Sequence, residues 1–129
     1  MPSSFEAARL LRVARRDLKA ARRLLEPEVE EASWGWATQQ CLEKTLKAWI
    51  YATGVNPPRT HDLTRLLLLL QKAGVDIAEL LPLRAFTTFA VQYRYDDEPE
   101  EFGLDRIAWC KRAEALILHV EHLIAAADP

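Results

Sequence analysis

Apolar residues recur along this chain at steps of three and four and nowhere alternate with polar ones for long enough to make a strand. The clearest stretch is 34–53. At about 100° per residue, Ala37, Cys41, Leu42, Thr45, Leu46, Ala48, Trp49, Ile50 and Ala52 fill an arc wider than half the circumference. A helix with so broad an apolar face must be covered on two sides, which makes it the central rod of the fold. The remaining strip carries Gln40, Glu43, Lys44 and Lys47 at a spacing that puts all four on one face, with Trp36 and Tyr51 at its ends.

The same periodicity organises the rest. Ser3 with Glu6 three residues later reads as a capping box, and Leu11, Ala14, Leu18, Ala21 and Leu25 form a narrow seam down to Pro27. Gly54 ends the central helix, and Asn56-Pro57-Pro58 prevents its continuation. Thr60 or Asp62 caps a third helix, which presents Leu63, Leu66, Leu67 and Leu70 and stops at Gly74. Asp76 and Glu79 repeat the capping signature, and Pro82 is expected to divide a short turn from a longer fourth helix with Leu83, Phe86, Phe89, Ala90 and Tyr93. Residues 97–103 are acidic, broken by Pro99, and read as an exposed loop. From Asp105 a last helix runs to about Ala126 on the seam Trp109, Ala113, Leu116, Val120, Leu123. The pattern therefore predicts an all-α domain over 1–129, an up-and-down bundle of four long helices plus a short extra one.

Composition narrows the function more than the fold. A chain of 129 residues, half of them hydrophobic, supports one core. The net charge of -2 neither demands nor excludes a nucleic-acid partner, but the charges are segregated. Arg9, Arg12, Arg15, Arg16, Lys19, Arg22 and Arg23 stand against the single Asp17, while Asp96, Asp97, Glu98, Glu100 and Glu101 form an acidic run. The basic helix is either a solvated face whose stems cover apolar surface or a surface that meets phosphates. Cys41 and Cys110 lie in apolar helical patterns, so a disulfide is not expected and a reducing, cytoplasmic setting is. No apolar run approaches the roughly 20 residues of a membrane span. The absence of a Gly-rich phosphate loop, a Cys-x-x-Cys pair and a Ser-centred elbow excludes the commonest nucleotide-hydrolysing and acyl-transfer designs, and no cofactor is expected. His119 and His122 share a helix face but lack a third ligand at a suitable spacing, so no metal site is expected either.

Several short motifs occur in a telling order. Gln40-x-x-Glu43-Lys44-x-x-Lys47-Ala48 precedes a Gly-containing break, Thr60-His61-Asp62-Leu63 opens the next helix, and Arg94-Tyr95 stands before the acidic loop. Together these resemble the HEPN domain over nearly the whole chain. The resemblance implies a bundle of four to five helices, frequently a homodimer, often encoded beside a minimal nucleotidyltransferase. In many prokaryotic members the two form a toxin and antitoxin pair in which the HEPN partner cuts RNA. Nuclease members carry an Arg and then, after four to six intervening residues, a His near the start of the last helical region. Here Arg94 is followed by Tyr95-Asp96-Asp97-Glu98-Pro99-Glu100-Glu101, without a His. Metal-free RNA cleavage needs a group that titrates near neutrality, and an acidic loop repels phosphate.

Three readings of function follow. The first is a nucleotide- or RNA-associated partner of a minimal nucleotidyltransferase, with Gln40, Glu43, Lys44, Lys47, His61, Asp62, Arg94 and Tyr95 as its binding residues: lysines for phosphate, Gln40 as a hydrogen-bonding group, and Trp36 or Tyr51 as a stacking platform. A buried variant of the same cluster, Gln40, Glu43, Lys44, His61 and Arg94, would only fix how the helices align. The second is an endoribonuclease that uses Arg112 and His119, which share a face of the last helix at i, i+7. The third is an interaction module anchored by Trp36, Tyr51, Tyr93 and Tyr95.

Overall fold

The wide apolar arc of the central helix finds its two covers. The computed structural model describes residues 2–91 and 95–127, with only the backbone of Pro2 and Ser3. Among these, α1 (Pro2–Arg22), α2 (Glu31–Ala52), α3 (Leu63–Lys72), a 3-10 helix (Ala78–Phe86), α4 (Thr87–Val91) and α5 (Arg106–Ala127) follow one another, and no strand occurs. Fifteen of the 22 residues of α2 are buried, which makes it the rod about which the others pack. α1 and α5 cover it on one side, and α3, the 3-10 helix and α4 on the other. The all-α bundle expected from the periodicity is the fold observed.

Local departures have local causes. α1 already begins at Pro2, so Ser3 lies inside the helix, and Glu6 pairs with Arg9 at 2.8 Å. Its buried seam is Ala7, Leu11, Ala14, Leu18 and Ala21, and the helix ends at Arg22, ahead of Leu25 and Pro27. Gly54, at φ +89°, turns the chain out of α2 in the left-handed region that glycine tolerates. Asp62 caps α3 by accepting from the Thr64 N–H at 3.0 Å.

Pro82 does not separate a turn from a helix. It lies within one helical rod from Ala78 to Val91 whose first nine residues are 3-10. A 3-10 rod bonds each N–H to the carbonyl three residues back, and Pro82 has no N–H to give. The carbonyl of Glu79 is left over, and Arg112 of α5 donates to it. The expected members Leu83, Phe86, Phe89 and Ala90 are buried, and Tyr93 lies outside the described residues. Phe86 forms the centre of an aromatic group, 5.6 Å from Trp34, 5.5 Å from Phe89 and 4.7 Å from Trp109 between ring centroids. The Phe89 ring lies directly over Gly35 of α2, where a Cβ would stand 2.4 Å from it.

Candidate functional site

On the wheel of α2, Glu43 borders Ile50, and Gln39 falls between Leu46 and Ile50, inside the apolar arc. Both are buried, and a buried polar side chain requires partners. Oε1 of Glu43 accepts from Gln39 Nε2 at 3.1 Å and lies 2.8 Å from Nδ1 of His61, and its Oε2 accepts from Lys47 at 2.9 Å. Gln39 also donates to the backbone carbonyl of His61 at 3.2 Å, so His61 is held to α2 by ring and main chain alike. Gln40 donates to Gln39 at 2.7 Å and accepts from Lys44, whose ammonium lies 3.3 Å from Asp17 of α1.

The predicted residues Gln40, Glu43, Lys44, Lys47 and His61 thus meet in one polar seam that spans α1, α2 and the start of α3, joined by Asp17 and Gln39. The seam is not an open face. Only 4% of the Glu43 side chain, 16% of Lys47 and 20% of Lys44 are exposed, whereas His61 is 56% exposed. Burial alone raises a carboxyl pKa, but the hydrogen bonds from Lys47, His61 and Gln39 outweigh it and hold Glu43 below the usual carboxylate range. With Nδ1 of His61 directed at Glu43, the ring's Nε2 is the nitrogen that remains to meet a ligand. Asp62 is occupied as a helix cap, Tyr95 is exposed at the start of the acidic loop, and Arg94 lies outside the described residues.

Arg112 and His119 meet elsewhere. They line a cleft of about 620 Å³ between α5, the 3-10 helix and α2, whose floor includes Trp49, Leu80, Leu83 and Leu116 and whose rim holds Asp76 and Glu79. The Arg112 guanidinium is already committed to the Glu79 carbonyl and lies 4.9 Å from the centroid of Trp109. His119 packs edge-on against Trp49 at 5.0 Å. Among the described residues no group of three His, Cys, Asp or Glu side chains is placed to hold a metal ion, and no helix is long and apolar enough to cross a membrane.

Sequence reasoning missed a reciprocal clamp at one end of the bundle. Glu31, in the first turn of α2, accepts from the N–H groups of Phe102 and Leu104, at 2.6 and 2.8 Å. Arg106, in the first turn of α5, donates to the carbonyls of Leu24, Glu26 and Val29, at 2.8 to 2.9 Å. Each helix start thereby satisfies the loop that leads into the other. A signal for Glu31 existed, because it lies in register with Trp34 and Thr38 on the buried face. None marked Arg106.

No curated protein and no solved structure matches the chain. A family model described as the HEPN domain matches residues 7–128. With the motifs on α2 and at the start of α3 in the places described, and nearly the whole chain covered by that match, the protein belongs to the HEPN family.

Proposed function

We propose that this HEPN domain is a nucleotide- or RNA-associated binding protein, the dimeric partner of a minimal nucleotidyltransferase in a toxin and antitoxin arrangement, and that it does not itself cleave RNA. The observation that carries the reading is the convergence of Gln40, Glu43, Lys44, Lys47 and His61, with the His61 ring as the exposed tip of an otherwise sheltered network. Such a network presets the direction of a hydrogen-bonding imidazole before any ligand arrives. Arg94 and Tyr95 follow α4 in sequence and belong to the same proposed set. The test is titration with ATP and with a short single-stranded RNA at low salt, on the wild type and on His61→Ala, Lys44→Ala and Arg94→Ala, each first shown to be folded by circular dichroism. Saturable binding weakened by these changes supports the reading, and no saturable signal from either ligand removes it.

One observation favours a second reading, an endoribonuclease built on Arg112 and His119: both line the same cleft. The engagement of Arg112 with Glu79 and Trp109 weighs against it, because a cation that satisfies a carbonyl is not free to stabilise a developing phosphorane. Growth arrest on expression that is relieved by His119→Ala would favour this second reading. Growth arrest unaffected by His119→Ala, or none at all, would leave the binding role.

A further inference from the structure

The six cations of α1, with Arg23 in the turn that follows it, divide by the direction in which they leave the chain. Arg15 and Arg22 lean toward α5, where Glu121 and Glu114 neutralise them, and Arg9 pairs with Glu6. Arg12, Arg16 and Lys19 leave on the side opposite the buried seam, and Arg23 follows in the turn after the helix, its N–H bonded to the Ala20 carbonyl at 3.1 Å. All four are exposed, and among the described residues none forms an ion pair. Steps of four and three keep Arg12, Arg16 and Lys19 in one line on the helix, and Arg23, one step of four further on, extends the row to roughly 17 Å. Phe5, 65% exposed, continues that line two turns beyond Arg12. A chain with nearly balanced charge that needed only a solvated face would intersperse the signs; a row of one sign creates a local field that favours polyanions.

We infer that this ridge docks the phosphate backbone of single-stranded RNA, with Phe5 stacking on a base at its end. The inference deepens the RNA side of the proposed function at a surface separate from the α2–α3 seam. Three of the four cations are arginines, whose planar fork matches phosphate oxygens. A line of cations that ends in an exposed aromatic is the combination that holds unpaired strands, because phosphates take the charges and an unstacked base takes the ring. The aromatic also favours RNA over an acidic polypeptide, which has no base to stack.

The experiment measures anisotropy of a labelled oligouridine with the full chain between 50 and 200 mM salt. Four phosphate contacts on a single strand predict a loss of affinity of about 50-fold over that range. R12Q/R16Q should flatten the salt slope by about half, uniformly across RNA sequences. R15Q/R22Q, which removes the same formal charge from paired positions, should leave the slope unchanged, and Phe5→Ala should weaken binding without altering the slope. Equal slopes for the two double variants, or competition by polyaspartate as effective as by unlabelled RNA, would overturn the inference, the latter in favour of an acidic protein partner. ATP binding without RNA binding would overturn it while sparing the proposed function. Loss of both ligands in the wild type would remove both.

Discussion

Glu43 is where the structure makes its sharpest energetic demand. Its carboxylate is almost fully buried and takes hydrogen bonds from Lys47, His61 and Gln39. Glu43→Ala leaves a largely buried ammonium without its counter-ion and two further donors without an acceptor. Breaking a buried pair from one side costs about 3–5 kcal/mol, and the lower end applies because the Lys47 stem is long enough to reach water. In a domain of this size about 3 kcal/mol lowers Tm by roughly 10 °C. Glu43→Gln keeps the shape and an acceptor and should cost about 1–2 kcal/mol. His61→Ala removes one bond from a half-exposed ring and should cost about 1 kcal/mol or less. Because folding lowers the Glu43 pKa, its contribution is complete above the unfolded value of about 4.3 and is lost as pH falls through the lower folded value. Urea unfolding of wild type and Glu43→Gln at pH 7 and at pH 3 should therefore show a stability gap that narrows in acid. Some acid loss persists in the variant, because Glu121 and Glu114 are likewise held low by Arg15 and Arg22. A gap independent of pH, or a Tm change within about 2 °C for Glu43→Ala, would refute the assignment of a buried charged acceptor.

Other changes probe the packing around the seam. Gly35→Ala should gain about 1 kcal/mol of helix propensity yet destabilise the protein overall, because its Cβ enters the Phe89 ring and overpacking costs about 1–3 kcal/mol; thermal melts should show the loss reduced in Gly35→Ala/Phe89→Leu. Glu31→Ala should cost about 2 kcal/mol and raise hydrogen exchange at the Phe102 and Leu104 amides while sparing the core of α2. Cys41 is fully buried, and burial pushes its thiol pKa up to about 12. Alkylation of Cys41 at pH 8 should therefore wait for unfolding, as followed by mass spectrometry with and without urea.

The helices were legible because their signal is local and redundant: each seam repeats four or five times at helical spacing, and one misplaced residue changes little. The seam on α2 was half legible. Wheel position alone brings Gln40, Glu43, Lys44 and Lys47 together, but how deeply they sit depends on α1 and the start of α3. Asp17 lies 27 residues from Lys44, and no periodicity announces that they meet. Gln39 was overlooked although it lay in plain view, a polar side chain inside the apolar arc. The opposite error concerned α1, whose cations form one class in sequence. Arg9 has its partner Glu6 three residues away, but Arg15 and Arg22 are set apart from the unpaired row only by Glu121 and Glu114, about a hundred residues away. Pro82 misled because its usual effect is to break an α-helix; a 3-10 rod absorbs it once Arg112 takes the spare carbonyl.

This division of cations also bears on the proposed work of the two surfaces. A phosphate that approaches Lys44 or Lys47 must compete with Asp17 or Glu43 for an ammonium already satisfied, and pulling either lysine away uncovers a sheltered carboxylate. Arg12, Arg16, Lys19 and Arg23 present no such competitor. On the proposed reading, charge neutralisation falls to the row along α1, where it carries no penalty inside the fold, and the α2–α3 seam contributes the fixed direction of His61. On this division, Lys44→Met alters nucleotide affinity less than His61→Ala does. An order reversed in side-by-side ATP titrations would mean that Lys44 leaves Asp17 to meet the ligand, and that the seam opens on binding.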